Sequence, residues 1–99
     1  MSQIKKVDMA GKVTTLWVRE DKPHIIHRTD GPAIIWDDGS EFWYYNGAMM
    51  RMDGPAVTYA DGRTGWCYKG REYSFDNWCI KTKKKSQDIL HLKLKYKIS

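Results

Sequence analysis

Histidine and cysteine are the residues of this 99-residue chain with which metal binding or nucleophilic catalysis would begin. His24 and His27 have the spacing HxxH, but strand positions three apart face opposite sides of a sheet, so this spacing predicts no metal site. Cys67 and Cys79 are too few for a disulfide framework, and free cysteine is commonly buried, which makes packing their expected role. The alternative for Cys79 is a reactive thiol with a pKa lowered by nearby Lys81. Because the sequence shows neither a nucleophile paired with a base nor a glycine-rich phosphate loop, we expect no catalysis and no cofactor.

A 20-residue phrase, written twice, supplies most of the elements that must position these side chains. RTDGPAIIWDDGSEFWYYNG (Arg28–Gly47) returns after an offset of 23 as RMDGPAVTYADGRTGWCYKG (Arg51–Gly70). The shared residues include the arginine, the Asp-Gly-Pro triplet, an Asp-Gly pair, a tryptophan, a tyrosine and the final glycine. The sequence therefore predicts two copies of one structural unit, repeat 1 over residues 28–50 and repeat 2 over residues 51–73.

Each repeat reads as two strands joined by tight turns. The runs Ala33–Trp36 and Ala56–Tyr59, and then Glu41–Tyr45 and Thr64–Tyr68, have strand propensity. The Asp-Gly and Asn-Gly pairs between them supply the positive φ of a hairpin turn, which predicts an antiparallel meander. In the Asp-Gly-Pro triplet we expect a stiff corner with an unusual glycine dihedral. We expect Arg28 to pair with Asp38 and Arg51 to pair with Asp61, or both arginines to be solvated.

Side-chain alternation assigns the large rings to faces of the sheet. Trp43 and Tyr45 share a face with Trp66 and Tyr68, and Trp36 matches Tyr59 on the adjoining strands. The intervening residues differ between the repeats and leave the second face less constrained. We expect the rings to form an aromatic ladder that holds the sheet together.

The flanking segments predict ends for this array. Residues 10–28 resemble a degenerate first unit, with a glycine turn, a strand Val13–Arg19, a polar turn and a strand over HIIHR. Residues 74–85 predict a capping helix with Ser74 as N-cap and Trp78 on its inner side. Residues 88–98 alternate leucine with lysine and predict a final edge strand with a lysine face.

Charge is segregated along the chain. Residues 1–80 carry ten Lys and Arg against eleven Asp and Glu, a net charge of −1, whereas residues 81–99 carry seven Lys against Asp88 alone, a net charge of +6. The rings exceed what a thin sheet can bury, so exposed rings and the basic tail are the candidate partner-binding residues. They are Trp36, Trp43, Tyr45, Tyr59, Trp66, Tyr68, Lys83, Lys84, Lys85, Lys93, Lys95 and Lys97. The lysines could equally be a solvated helix end and a protected strand edge.

The repeat resembles MORN-type repeats, especially the divergent variants in small proteins of tailed bacteriophages. The resemblance rests on the 23-residue period, the aromatic strand before the Asn-Gly turn and the run GPAVTYADG, and it covers about residues 24–80. It implies a sheet of stacked hairpins and a phage-like origin. Typical MORN units space their glycines differently, so the resemblance implies neither lipid binding nor any single activity.

These observations predict a mainly β fold in a single domain over residues 1–99: an antiparallel meander of MORN-like repeat hairpins, one short C-terminal helix and a final edge strand. We expect a small non-enzymatic binding protein, phage-encoded, that docks onto and inhibits one host or antiviral-defence protein through its aromatic sheet face, its basic tail or both. The alternative is non-specific nucleic-acid binding, with Lys81–Lys97 on phosphates and rings stacked on bases. A homodimer through a sheet edge is a third option. The sequence lacks a signal peptide and an apolar run of membrane-spanning length, so we expect no membrane partner and a location in the bacterial cytoplasm.

Overall fold

The computed structural model describes residues 4–8 and 13–98, with side chains described from residue 15 onwards. Within these residues nine strands precede two helices. The strands are β1 (Ile4–Asp8), β2 (Val13–Arg19), β3 (Ile34–Trp36), β4 (Glu41–Phe42), β5 (Tyr44–Tyr45), β6 (Ala48–Met49), β7 (Val57–Thr58), β8 (Thr64–Tyr68) and β9 (Arg71–Tyr73). The helices are α1 (Phe75–Lys81) and α2 (Ser86–Tyr96).

The strands form a sheet that follows the chain. Seven of them pair in the order β1-β2-β3-β4-β7-β8-β9, and β5 pairs with β6 in a separate ribbon. Every pairing is antiparallel. The predicted mainly β, antiparallel fold is therefore confirmed.

The two repeats have the same strand register. Each cross-strand pair of repeat 1 recurs 23 residues later, as these examples show: Ile34–Phe42 recurs as Val57–Gly65, and Tyr45–Ala48 recurs as Tyr68–Arg71. The bond from Arg28 N–H to the Tyr44 carbonyl likewise recurs in repeat 2 at Arg51. The written repeat is thus a repeat of hydrogen bonding as well as of letters.

The turns confirm the reading of their glycines. In the hairpins at Asn46-Gly47 and Lys69-Gly70 both residues have positive φ, at 48° and 81° and at 51° and 82°, as a type I′ turn requires. The two Asp-Gly turns place Gly39 and Gly62 at 95° and 94°. These six positive φ angles fix the hairpins and so fix the strand register.

Two predicted strands differ from the structure, and the structure has one strand that was not predicted. The run Glu41–Tyr45 is divided at Trp43, whose N–H donates to the Ala56 carbonyl, so its first half joins the large sheet and its second half joins the ribbon. HIIHR forms only a single bridge, between Ile26 and Val18. Strand β2 has the predicted bounds. It pairs with β1, which was not predicted and lies at the edge of the sheet. The predicted glycine turn between β1 and β2 lies outside the described residues.

An arginine, and not a second ring, covers Trp17 and Trp43, whereas rings cover Trp66. The Cζ atom of Arg28 lies 4.3 Å from the ring centroid of Trp17, and that of Arg51 lies 3.9 Å from the centroid of Trp43. Trp17 is the counterpart of Trp43, since the Trp17 N–H donates to the Ala33 carbonyl and the Trp43 N–H donates to the matching Ala56 carbonyl. The expected ladder of stacked Trp and Tyr rings is therefore wrong for this side of the sheet, because a guanidinium from the following unit lies over each of these indoles.

The Asp-Gly-Pro triplet is the receptor for that guanidinium. Arg51 donates from Nε to Asp53 at 2.8 Å and from Nη1 to the Pro55 carbonyl at 3.2 Å, and Arg28 makes the same two bonds in its own triplet. The predicted pairing with Asp38 and its counterpart is wrong, because the carboxylate two residues away is nearer. A Cβ at Gly54 would lie 2.8 Å from Arg51 Cζ, so this glycine provides room for the arginine and not an unusual dihedral.

Helix α1 ends the array where a third repeat would begin. Ser74 stands at the position of Arg28 and Arg51, and its side chain accepts from Asn77 N–H as the predicted N-cap. Trp78, fully buried, covers Trp66 at a centroid distance of 4.6 Å and donates from Nε1 to the Arg51 carbonyl. The predicted capping helix is confirmed, and its tryptophan replaces the missing arginine.

The predicted strand over residues 88–98 is wrong, because this segment is helix α2. Its N-cap Lys85 donates its N–H to the Asp88 carboxylate, and its C-terminus closes at Lys97 with φ 56°. Alternation of leucine and lysine concealed a second pattern, in which Ile89, Leu92 and Tyr96 recur at helical spacing and pack on Trp66 and Trp78. Leucine and lysine are both strong helix formers, which favours this pattern over the strand.

We expect Arg51→Lys to lower the free energy of unfolding by about 1–3 kcal/mol, because lysine cannot form the fork of hydrogen bonds while stacking on Trp43. The matched control is Arg63→Lys, whose arginine also pairs with an aspartate and covers a ring but has a side chain 74% exposed. This control should change stability by less than about 0.5 kcal/mol. Urea unfolding measures both, and equal effects would contradict the role assigned to Arg51.

Candidate functional site: the open face of the sheet

The candidate metal ligands do not converge. His24 is exposed, whereas His27 is buried, accepts the Asn46 N–H on Nδ1 at 2.9 Å and contacts the Tyr45 ring. Burial, and then the charge of Arg19, lowers the pKa of His27. Among residues 15–98, whose side chains are described, no three His, Cys, Asp or Glu side chains come together as a metal site. His27 is a structural residue that fixes the first Asn-Gly turn.

The two cysteines have the properties of packing residues. Both are free and buried. Burial, with the nearby Glu72 carboxylate, raises the pKa of Cys67 to about 11, and burial, with Asp76, also raises the pKa of Cys79. The alternative of a reactive Cys79 thiolate is contradicted, since its pKa is raised and not lowered.

The sheet divides the predicted partner-binding rings between its two sides. Trp43, Tyr45, Trp66 and Tyr68 lie with Arg28 and Arg51 on one side, which we call the Trp–Arg face, and both helices pack on this side around Trp66. Trp36 and Tyr59 lie on the opposite side, where both contact Phe42. The predicted sharing of faces agrees with this arrangement, but the twelve predicted residues do not form one surface.

Solvent exposure decides which of the predicted partner-binding rings can contact another molecule. Trp66 is only 6% exposed beneath Phe75, Trp78 and Tyr96, so it cannot contact a partner and we remove it from the candidate surface. Trp43 is half-buried and covered by its arginine. Tyr45 and Tyr59 are 49% and 40% exposed, one on each face, and are therefore a matched pair for experiments.

The side opposite the helices carries a continuous apolar rung. Leu16, Ile34, Phe42, Val57 and Gly65 are direct cross-strand neighbours, and direct neighbours point to the same side. Trp36, Tyr44, Tyr59 and Met49 follow from this rung by alternation and pairing. Both helices pack on the other side of the sheet. On this side Tyr59 is exposed and Val57 is buried, and the other side chains of the set are half-buried. We call this surface the open face: Leu16, Ile34, Trp36, Phe42, Tyr44, Met49 and Tyr59.

A trough lies where the open face passes from repeat 1 to repeat 2. Phe42 and Tyr44 are large, but their counterparts in repeat 2 are Gly65 and Cys67, so the surface falls away by the size of two rings. The resulting concavity has a volume of about 500 Å³. Its side-chain walls are Phe42, Tyr44, Met49, Val57, Tyr59, Cys67 and Glu72.

The predicted lysine face is divided by the helix. Residues two apart on a helix point in nearly opposite directions, so Lys95 is turned away from Lys93 and Lys97. Lys83, Lys84 and Lys85 form the link between α1 and α2. Lys84 and Lys95 line a concavity of about 390 Å³ that shares Met52 and Asp53 with one of about 360 Å³ on the Trp–Arg face.

Two features of the surface have no counterpart in the sequence predictions. Glu72 lines the trough, but it is not a matched residue of the repeated phrase, so the repeat pattern does not point to it. Leu90 and Leu94 of α2 are 59% and 73% exposed on its outer side, and the strand reading had placed them inside.

No family model, curated protein or solved structure matches the chain. The resemblance to MORN-type repeats thus stays a prediction. In the part of the chain that is described, neither helix has the length and apolar character needed to cross a bilayer.

We expect the melting temperature to be lower at about pH 5.5 than at about pH 7.5. Because burial lowers the pKa of His27 below 6.5, the unfolded chain binds more protons as the pH falls through this window, and stability is lost. Asp30 and Asp53 have pKa values below 3.8 and titrate outside it.

His27→Met is the control for this prediction, because repeat 2 carries Met50 at the same position. This variant should show little change in melting temperature over the same window. A wild-type protein that melts at one temperature at both pH values would contradict the role of the neutral imidazole.

Proposed function

We propose that this chain is a small non-enzymatic binding protein that docks its open face onto one partner protein. The observation that carries the proposal is the apolar surface of Trp36, Phe42, Tyr44, Met49 and Tyr59 on the side opposite the two helices, where Tyr59 is exposed and the other four are half-buried. Contiguous exposed apolar surface is rare on monomers and marks interaction sites. Aromatic residues and methionine are the residues enriched at the centres of interfaces.

The sheet presents these rings in a fixed arrangement. Type I′ turns set the hairpins, and the guanidinium contacts on the opposite face hold adjacent units together. A surface that is ordered before binding loses less conformational entropy when the partner arrives. Rigid rings on a rigid sheet therefore suit a protein partner better than an adaptable loop would.

Inhibition of a host or antiviral-defence protein is the outcome that we propose for this docking. Its basis is the phage-like origin that the repeat resemblance implies, together with a mode of action that needs only occlusion of a partner surface. The lysines of residues 81–99, with a net charge of +6, would steer the chain toward an acidic partner and raise the association rate. The bacterial cytoplasm is the compartment proposed for this encounter.

Nucleic-acid binding is the second candidate, and one observation favours it. Tyr45, Arg28, Arg51, Lys84 and Lys95 line the two adjoining concavities of the Trp–Arg face, so rings and cations that are far apart in sequence meet there. Three carboxylates, those of Asp30, Asp53 and Asp88, line the same concavities and would repel phosphates. The indole of Trp43 is also covered and cannot stack on a base, which makes the open face the stronger candidate.

The experiment compares Tyr59→Glu with Tyr45→Glu, because the two tyrosines are similarly exposed on opposite faces. The partner is first captured from nuclease-treated bacterial lysate and identified, and its dissociation constant is then measured with purified proteins. We expect Tyr59→Glu to weaken binding by about 30-fold, since it buries a charge in an apolar interface, and Tyr45→Glu to change it by less than about twofold.

The reverse order, with loss at Tyr45 and none at Tyr59, would place docking on the Trp–Arg face and refute the proposal. Retention of nucleic acid alone, released by about 0.5 M salt, would support the second candidate instead. Circular dichroism of both variants checks that the fold is kept, which their surface positions lead us to expect.

A further inference from the structure

We propose that the trough on the open face binds a cationic side chain, an alkylammonium or a guanidinium group, between its aromatic walls and the Glu72 carboxylate. This inference rests on the proposed function, since the cation is taken to project from the docked partner. It adds the chemistry of the contact: the partner presents a lysine or an arginine at this point of the interface.

The first support is the position of Glu72. Strand β9 places this residue opposite Cys67, and its side chain reaches back over Gly65. Its Oε2 atom lies 3.2 Å from the point where a Cβ on Gly65 would stand. The missing side chain of Gly65 therefore leaves room for a carboxylate within the trough. Burial, together with this carboxylate beside the thiol, raises the pKa of Cys67.

The second support is that this carboxylate has no partner among the described side chains. The four ion pairs of the described residues use Asp21, Asp30, Asp53 and Asp61, and each joins an arginine two residues away. Glu72 takes part in none of them and in none of the side-chain hydrogen bonds of the described residues. Glu72 is exposed, so its carboxylate is solvated in the free protein and is accessible to a charged donor from a partner.

The third support is the arrangement of the rings. Phe42 and Tyr59 meet at 89° with their centroids 6.1 Å apart, so they form two perpendicular walls, and Tyr44 also lines the trough. Aromatic faces attract cations, and walls of several rings with a carboxylate are typical of ammonium recognition. Arg63, outside the trough lining, lies 5.0 Å from the Tyr59 centroid, so this ring already has one cation as a neighbour.

The fourth support is the contrast with the other concavities. The two on the Trp–Arg side are lined by Arg28, Arg51, Lys84 and Lys95, whereas the lining of the trough includes no basic residue. Asp30, Asp53 and Asp88 also line the concavities of the Trp–Arg side, so the charges there are mixed, whereas Glu72 is the one charged residue among the described residues that line the trough, and a cation would prefer the trough. Charge complementarity selects a basic side chain as its occupant.

The test uses small probes that carry only the proposed chemistry. Wild-type protein is titrated with n-butylammonium, n-butylguanidinium and the neutral 1-butanol, and backbone amide signals are followed by NMR. We expect saturable shifts centred on Gly65, Cys67 and Glu72, with millimolar dissociation constants for the cations and at least about tenfold weaker binding of 1-butanol. The ratio between the two cations distinguishes a lysine from an arginine as the partner's residue.

Glu72→Gln is the matched variant, with Glu41→Gln as its control. Glu41 neighbours Phe42 in β4 and so points to the other side of the sheet. We expect Glu72→Gln to weaken the cations about tenfold while leaving 1-butanol unchanged, and Glu41→Gln to alter neither. Equal binding of the cations and 1-butanol, an unaffected Glu72→Gln variant, or shifts confined to the Trp–Arg face would each overturn the inference.

The outcomes separate this inference from the proposed function. If the cations do not bind but Tyr59→Glu still abolishes docking, the open face is an interface and the trough is not a cation site. If the cations bind in the trough but the partner docks through Tyr45, the cation site stands and the proposed docking face is wrong.

Discussion

The contact between a guanidinium and an indole is the interaction on which this small sheet depends. In the second repeat the Arg51 guanidinium lies over the Trp43 ring and donates hydrogen bonds to Asp53 and to the Pro55 carbonyl. It fits there because Gly54 has no side chain. Each such cation–π contact contributes about 0.5–2 kcal/mol, and the hydrogen bonds to the arginine add to it. Because the tryptophan belongs to one unit and the arginine to the next, the contact joins units as well as stabilising each. The repeated sequence phrase thereby supplies the contact that joins neighbouring units.

This division of labour explains the asymmetry of the molecule. On the Trp–Arg face the arginines and tryptophans contact one another and hold the units together, and the two helices pack on this same face. On the open face, Phe42 and Met49 pack on a second buried cluster of Ala56, Val57 and Cys67, yet several residues of this face differ between the repeats. The difference that matters most is the replacement of Phe42 and Tyr44 by Gly65 and Cys67, which opens the trough. Matched positions hold the fold, and unmatched positions shape the surface that we propose meets a partner.

The sequence predicted the local structure well where turn chemistry or capping decides it. Positive φ at Asn46-Gly47, the bounds of strand Val13–Arg19 and the helix after Ser74 all follow from residue type. Prediction failed where two periods coexist, as in residues 88–98, because only packing against Trp66 and Trp78 selects the helical one. The partner of Arg28 was also missed, since Trp17 lies eleven positions away across a loop and no rule of spacing joins them. For the candidate site, alternation assigned the faces correctly, but which face the helices cover, and so which rings stay exposed, depends on tertiary structure.

The way in which each unit is closed by its successor has a consequence for how such chains change in length. A duplication of 23 residues inserted ahead of Arg51 would bring both a new indole and a new arginine, so neither terminus would need redesign. Each added copy would widen the plate by two strands, or about 10 Å, while Ser74 and Trp78 would still seal the last one. Copy number is therefore a variable that evolution or an engineer can adjust in whole steps, and the breadth of the binding surface scales with it.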